Sequence, residues 1–379
     1  MTNKILCPCG SGNAYKLCCG KNPVVITPQS VNAAAQSDLD RIQQSENRAT
    51  DSLKFCCWPG CDSKSAIRAH IISQSFLRRI ASKNHLMHFR HLIDDVRSRN
   101  KRDGNPKSIG IKKAITYFGF CDDHDNYFHP IDGDWTEAKE NYFLHSLRIA
   151  SFNYFQAKLN FLRALESEGE YKLKNTPSPS FVDNRIAGTM HEYYRFDVLT
   201  NAVAKSKLDH MYLEEDYSEI ETYVCYFDKD IPISAAMTYP CFIYFDGNRQ
   251  NVSVYDTPES PYVNLTLLPL SKGGVLLVTW HKALSAYARI QWETFDQIPS
   301  DTKTDALIRM LFYWSGGTVL NPPWWNKLSI GKKRYLSQIV NSYGKLENHD
   351  RYTAELISPH GRFSKSIVDW EPQAGSFHL

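Results

Sequence analysis

Ten cysteines punctuate this 379-residue chain, and eight of them precede residue 122. Paired thiols at short spacing, with a histidine nearby, suit zinc better than a disulfide scaffold in a reducing compartment. The first group is CPCGSGNAYKLCCG, with Cys7, Cys9, Cys18 and Cys19. Four thiolates satisfy one tetrahedral ion, and Gly10, Ser11 and Gly12 allow the turn between the pairs. So small a unit has almost no core, so metal binding of about 10–16 kcal/mol would have to hold it folded. The second group is split between FCCWPGC and FCDDH. Cys57 and Cys61 flank a turn at Pro59-Gly60, and Cys121 and His124 have the spacing of a helix start. A knuckle first and a helix last is the order of a treble-clef zinc site. The expected ligands are therefore Cys57, Cys61, Cys121 and His124, with Cys56 as the spare or as a swap for Cys57.

Residues 5–21 resemble the SEC-C zinc knuckle. The resemblance lies in the C-x-C-x8-C start, the Gly10-Ser11-Gly12 turn and the Tyr15-Lys16 pair. That family usually ends in Cys-His, whereas this chain ends in Cys18-Cys19, an equally good ligand pair. The resemblance implies an attachment module that touches protein partners or the ribosome.

The second group, over residues 55–132, looks like the HNH or His-Me finger nucleases. IRAHIIS matches the strand that carries a general-base histidine, and FCDDHDNYFHP matches the closing helix. The resemblance implies three catalytic residues. His70 would be the base, Asp125 would hold a catalytic Mg2+ or Mn2+, and His129 would be a further candidate one turn on. Two features depart from the pattern. Ala69 stands where many such sites place an acid or a second histidine. No middle asparagine is singled out among Asn84, Asn100, Asn105 and Asn126. The pattern also looks like a group of uncharacterised bacterial proteins with an A-H-x-I-x strand and a G-F-C-x-x-H-D helix.

Charge supports a polyanionic partner. Lys64 to Lys113 holds 13 Lys and Arg against 3 Asp, a local charge of +10 in a chain whose total is +3. The residues expected to meet a nucleic-acid backbone are Arg68, Arg78, Arg79, Lys83, Arg97, Arg99, Lys101, Arg102, Lys112 and Lys113. A solvated helical surface is the alternative. No apolar run approaches the roughly 20 residues that span a bilayer, and MTNKILCPCG has no stretch of signal-peptide length. The expected location is cytoplasmic, without membrane contact.

The elements that must position these residues follow from periodicity. The stretch after His70 reads as helices near Gln74–Ser82 and Leu86–Asn100, then a turn at 103–106. Glu137 to Ser167 reads as a long helix, with Phe143, Leu147, Phe152, Phe155, Leu159 and Leu162 as its apolar stripe. KNTPSPSF at 174–181 is a break, and Thr189–Leu208 reads as a second helix. ETYVCYF, PCFIYF, NVSVY, YVNLTLLPL and GVLLVTW read as about five antiparallel strands, with turns at Gly247-Asn248 and Lys272-Gly274. Cys225 and Cys241 fall in these strands as ordinary buried thiols. Asp301–Tyr313 and Gly331–Ser342 return to helix, around a rigid NPPWW loop.

The expected fold is α+β, and its parts run in order along the chain. A zinc knuckle at 1–21 and a linker at 22–50 come first. A treble-clef, HNH-like zinc domain with a helical insert covers 51–135. A C-terminal α+β domain with an antiparallel sheet covers 136–379. The expected cofactors are two structural Zn2+ ions and a catalytic Mg2+ or Mn2+. The expected function is a metal-dependent nuclease, with anti-phage defence as its setting by analogy. The alternative is a non-catalytic zinc adaptor for nucleic acid, the ribosome or a protein, with the knuckle as the docking element.

Overall fold

The computed structural model describes residues 51–89, 105–173, 184–241 and 262–342, with parts of 44–50, 244–248 and 372–378. Two compact units are present: 1–53 with 156–199, and 54–155 with 200–379. The described residues of the first unit are mainly parts of two long helices, α4 (Lys139–Leu173) and α5 (Asn184–Leu213). The second unit carries every described strand.

In chain order the strands are β1 (Ile67–His70), β2 (His85–His88), β3 (Lys107–Gly110), β4 (Thr116–Phe120), β5 (Ile220–Phe227), β6 (Ile233–Pro240), β7 (Tyr262–Pro269), β8 (Gly274–His281), β9 (Thr318–Leu320) and β10 (Ser376–His378). Besides α4 and α5, the helices include α1 (Gln74–Ile80), α2 (Asp122–Asp125), α3 (His129–Asp132), α6 (Ser285–Gln297), α7 (Ser300–Tyr313), α8 (Pro322–Lys327) and α9 (Ile330–Ser342). Strands β1 and β4 form a two-stranded sheet. The others form an eight-stranded antiparallel sheet in the order β10-β5-β8-β7-β6-β9-β2-β3. The fold is thus α+β.

Strands β5, β7 and β8 are buried over most of their length, which is why they read as continuous apolar runs rather than alternating ones. The main core gathers Tyr223, Tyr239, Phe245, Trp292, Phe295 and Phe312 with the facing residues of α6, α7 and α9. At the other side of the sheet, α4 is tied on by Ser146 to Thr279 and by Asn153 to Thr238. The turn between β7 and β8 uses Gly273 at φ +71, and Leu270 donates its N–H to the Gly273 carbonyl at 3.1 Å. This is the turn expected from Lys272-Gly273-Gly274.

Several expectations shift. Of the strand expected at PCFIYF, Phe242 and Ile243 lie outside the described residues; upstream of it, ISAAMTYP forms β6. Its alanines have low strand propensity, which hid it. Its backbone is closely approached: a Cβ on Gly317 would stand 1.8 Å from the Ala236 carbonyl oxygen, so position 317 takes no side chain. NVSVY lies outside the described residues, as does the break at 174–181. Leu86 opens no helix. Lys83 and Asn84 adopt positive φ of 49° and 60°, and the chain turns into β2, which pairs with β3. Residues 90–104 lie outside the described residues. Among the described residues the sheet has eight strands rather than about five: β5 to β8 are joined by β2, β3, β9 and β10. The NPPWW loop is a short helix, α8, with Asn321 accepting from the Trp324 N–H at 2.8 Å. Trp325 is buried in it, as expected for core packing.

Strand β9 is the bridge between the two halves of the large sheet, because it pairs with both β6 and β2. Gly317→Ala, which forces a methyl group against the backbone at its start, should cost about 1–3 kcal/mol. Denaturant midpoints measure this, and an unchanged midpoint would show that β9 can move aside.

Candidate metal centre

The knuckle forms because its backbone closes on itself. Cys56 donates its N–H to the Ser63 carbonyl at 2.8 Å, and Cys61 donates to the Trp58 carbonyl at 3.1 Å. Gly60 takes the positive φ of 74° that the tight turn requires. The Cys57 N–H donates to the Gly119 carbonyl in β4 at 2.6 Å, fastening the knuckle to the hairpin. At the end of β4, Cys121 caps α2, and Asp125 donates its N–H to the Cys121 carbonyl at 2.9 Å. One helical turn then brings His124 back beside Cys121.

Four ligand atoms converge: those of Cys56, Cys61, Cys121 and His124 all lie within 4.8 Å of one another. His124 Nδ1 is 3.1 Å from Cys121 Sγ and 3.5 Å from Cys56 Sγ. A tetrahedral zinc with Zn–S near 2.3 Å sets its ligands roughly 3.8 Å apart, so the spacing fits that ion. Three thiolates and one imidazole are also a zinc donor set. Burial pushes the Cys56 thiol up to about 12, so its thiolate needs a nearby cation.

Cys56, the residue held as a swap, takes the place first given to Cys57. The Cys57 N–H bond to β4 accompanies the choice of Cys56. Spacing alone could not separate them.

Trp58 joins Phe120 and Phe128 in the buried core of the segment. Its ring stacks on His124 at 5.3 Å with planes 8° apart and on Tyr127 at 4.9 Å. It meets Phe120, Phe128 and Tyr212 edge-on. The ligand imidazole is thereby held in one plane.

Beyond the thiols lies a second group. His70 ends β1, and its Nε2 lies 3.0 Å from the Ile111 carbonyl oxygen. A carbonyl only accepts, so Nε2 carries the proton and Nδ1 keeps its lone pair. Burial holds the His70 pKa below the ordinary value, opposed by the Ile111 bond; Arg148 lowers it further, while Asp125 and Asp132 raise it. Burial raises the Asp125 carboxyl, and Arg148 pulls it back down. The Oδ1 atom of Asp125 is buried without a hydrogen-bond partner. His129 is exposed at the start of α3, and it is Asp132, three residues on, whose charge reaches His70 and Asp125. Asp132 and Arg148 were not anticipated, since Arg148 lies in the helical stripe outside the cysteine segment.

The basic residues divide. Arg68 is exposed, with its guanidinium 5.1 Å from the Phe118 ring centroid. Lys83, Lys112 and Lys113 are also exposed. Arg78 donates to Gln74 at 3.2 Å. Arg79 is a tie: it pairs with Asp134 at 2.7 Å and donates to the Pro269 carbonyl at 3.1 Å. Arg97, Arg99, Lys101 and Arg102 lie outside the described residues, as do Cys7, Cys9, Cys18 and Cys19.

Among known families, the SEC-C motif matches residues 5–21, the first cysteine group. No curated protein matched the chain in comparison, and no solved structure did. Among the described residues no helix is long and apolar enough to cross a membrane.

The centre makes a sharp distinction between adjacent cysteines. Cys56→Ser should lower zinc content by about one equivalent per chain relative to the parent, and Cys57→Ser should leave it unchanged. Metal analysis after dialysis reads this, and the reverse pattern would return the ligand role to Cys57.

Proposed function

We propose that residues 55–132 form a treble-clef, HNH-like finger that hydrolyses nucleic-acid phosphodiesters. The observation that carries the reading is the His70–Asp125 arrangement. His70 is a half-buried imidazole locked as the Nε2–H tautomer, and Asp125 is a carboxylate with a buried, unpartnered oxygen directly after a candidate zinc ligand. The β1–β4 hairpin followed by α2 and α3 supports the same reading, because it sets a base-bearing strand beside an acid-bearing helix.

The zinc is structural in this reading, held by Cys56, Cys61, Cys121 and His124, with a second ion at Cys7, Cys9, Cys18 and Cys19. At Asp125 a Mg2+ or Mn2+ ion, when bound, supplies Lewis-acid stabilisation of the charge that develops on phosphate and leaving group. His70 does the proton work. Its Nδ1 takes a proton from water as the water oxygen bonds to phosphorus and the bond to the leaving sugar oxygen breaks. The bond to Ile111 keeps the imidazole from turning. Arg68, Lys83, Lys112 and Lys113 are exposed and available to the flanking backbone.

A second reading is favoured by the SEC-C match at residues 5–21. In it the chain is a zinc-dependent adaptor in which His70 only braces the hairpin. Salt-dependent nucleic-acid binding without cleavage is its signature.

The two separate in one assay. Purified protein is incubated with plasmid DNA, single-stranded DNA and RNA in Mg2+ or Mn2+. His70→Ala, checked for retained zinc and folding, should lose on the order of 10²–10⁴ in cleavage rate. Equal cleavage by parent and variant would remove His70 as the base. Binding that survives without any cleavage would favour the adaptor. In a bacterial host the same variant should abolish any protection against phage infection.

The pH dependence has a definite sign. A base must be neutral to act, and burial disfavours its protonated form, so the His70 pKa lies below about 6.5. Cleavage should therefore be held as pH falls to 6.5 and be lost only below it. The lowered pKa also makes the fold lose stability as pH drops below the unfolded value, since the unfolded chain then binds more protons. A pH–rate profile whose acid limb sits well above 6.5 would contradict the assignment.

A further inference from the structure

Arg148 is unusual for its position. It stands in α4, on the helical stripe that follows the cysteine segment, and only 3% of its side chain is exposed. A buried guanidinium carries five N–H donors and needs partners for them. One is plain: Nη1 donates to Asp132 Oδ1 at 2.7 Å. The guanidinium also lies over the Phe128 ring at 4.2 Å, which fixes its plane. Its Nε is buried and has no hydrogen-bond partner. Leaving a buried charged donor unpaired is costly, more so than for a neutral group.

The position of this donor narrows its ligand. Arg148 lies beside that site: Tyr117, the β4 partner of Ala69 next to His70, donates its hydroxyl to the Arg148 carbonyl at 3.2 Å, and Phe128, under the guanidinium, is three residues after Asp125. Asp132, its partner, is partly open to solvent, with 31% of its side chain exposed. The charges in the group are two carboxylates, one guanidinium and a neutral imidazole, a net charge of −1. A divalent cation turns that to +1, and one phosphodiester makes it neutral. The edge of the guanidinium made by Nε and Nη2 is the one that binds phosphate oxygens in pairs, and Nη1, which Asp132 holds, is not part of it.

We propose that Arg148 is a phosphate-binding residue of the His70–Asp125 site, kept in place by Asp132 and presenting its Nε edge to a non-bridging oxygen of the phosphodiester. The inference rests on the nuclease reading for its substrate, but its anion-binding half does not need cleavage. It also means that residues 55–132 do not complete the site alone. A side chain from α4 must be docked before phosphate is held.

The test uses the full chain with zinc bound. Arg148→Lys keeps the charge and loses the planar fork. Its cleavage rate should fall by about 10²–10³, in kcat rather than KM, with zinc content and thermal midpoint kept. Cleavage within threefold of the parent would overturn the proposal. If the parent cleaves nothing, calorimetry with inorganic phosphate in Mn2+ decides instead. Binding by the parent and none by Arg148→Lys would keep the anion site and discard the nuclease. No binding by the parent would overturn both. Should Arg148→Lys fail to fold, Asp132→Asn takes its place. Phosphate binding must then persist, because the asparagine oxygen still accepts from Nη1 while one negative charge beside the anion is gone, and its loss in a folded Asp132→Asn protein would contradict the proposal.

Discussion

The meeting of Cys56, Cys61, Cys121 and His124 is the constraint on which the candidate site depends. A two-stranded hairpin is marginal in water, and helices of one turn have no stability of their own. The segment that carries His70 and Asp125 consists of just such pieces. A metal ion held there would cross-link the knuckle before β1 to the helix after β4 and close a loop of some sixty residues at a single point. Trp58 then fills the space behind the ligands, so that one indole packs the histidine ligand and the aromatic ends of the hairpin together.

The large sheet supplies what the metal segment lacks. Strands β2 and β3 belong to it, joined through β9. The Ile80 carbonyl at the end of α1 accepts from Asn321 at 2.8 Å, and Arg79 reaches the end of β7. Ser73 and Ser75 at the start of α1 both donate to the Asp132 carbonyl, which ties α1 to α3. Arg148 draws α4 to the same place through the Asp132 carboxylate. His70 and Asp125 are thus held from several directions, and the rigidity is that of the sheet rather than of a free-standing finger. Reactive geometry tolerates little slack, so this support matters to any chemistry there.

Much of this was legible from residue types. The thiol spacing marked the metal segment, the 3.6-residue periodicity marked the long helices, and the apolar runs marked β5, β7 and β8. What escaped had physical reasons. Cys56 and Cys57 are chemically equal, and only the folded backbone chooses between them. Ser234, Ala235 and Ala236 are poor strand formers, held in β6 by pairing with β7 and β9. The run from Leu86 looked helical because four residues are too few for a strand period to declare itself, and the turn that redirects it depends on positive φ at Lys83 and Asn84. Arg148 lay on an amphipathic helix as one basic residue among others. Its importance comes from a partner sixteen residues away and from burial, neither of which spacing reveals.

Amide hydrogen exchange with and without a zinc chelator tests the central claim most directly. If the Cys/His centre holds the hairpin and the acid-bearing helix together, metal removal should strip protection from β1, β4 and α2 as one unit. Strands β5 to β8 should keep theirs, because their protection comes from the main core. Protection in β1, β4 and α2 that is unchanged after the metal is gone would contradict the account, since packing around Trp58 would then suffice and the centre would not be what positions His70 and Asp125.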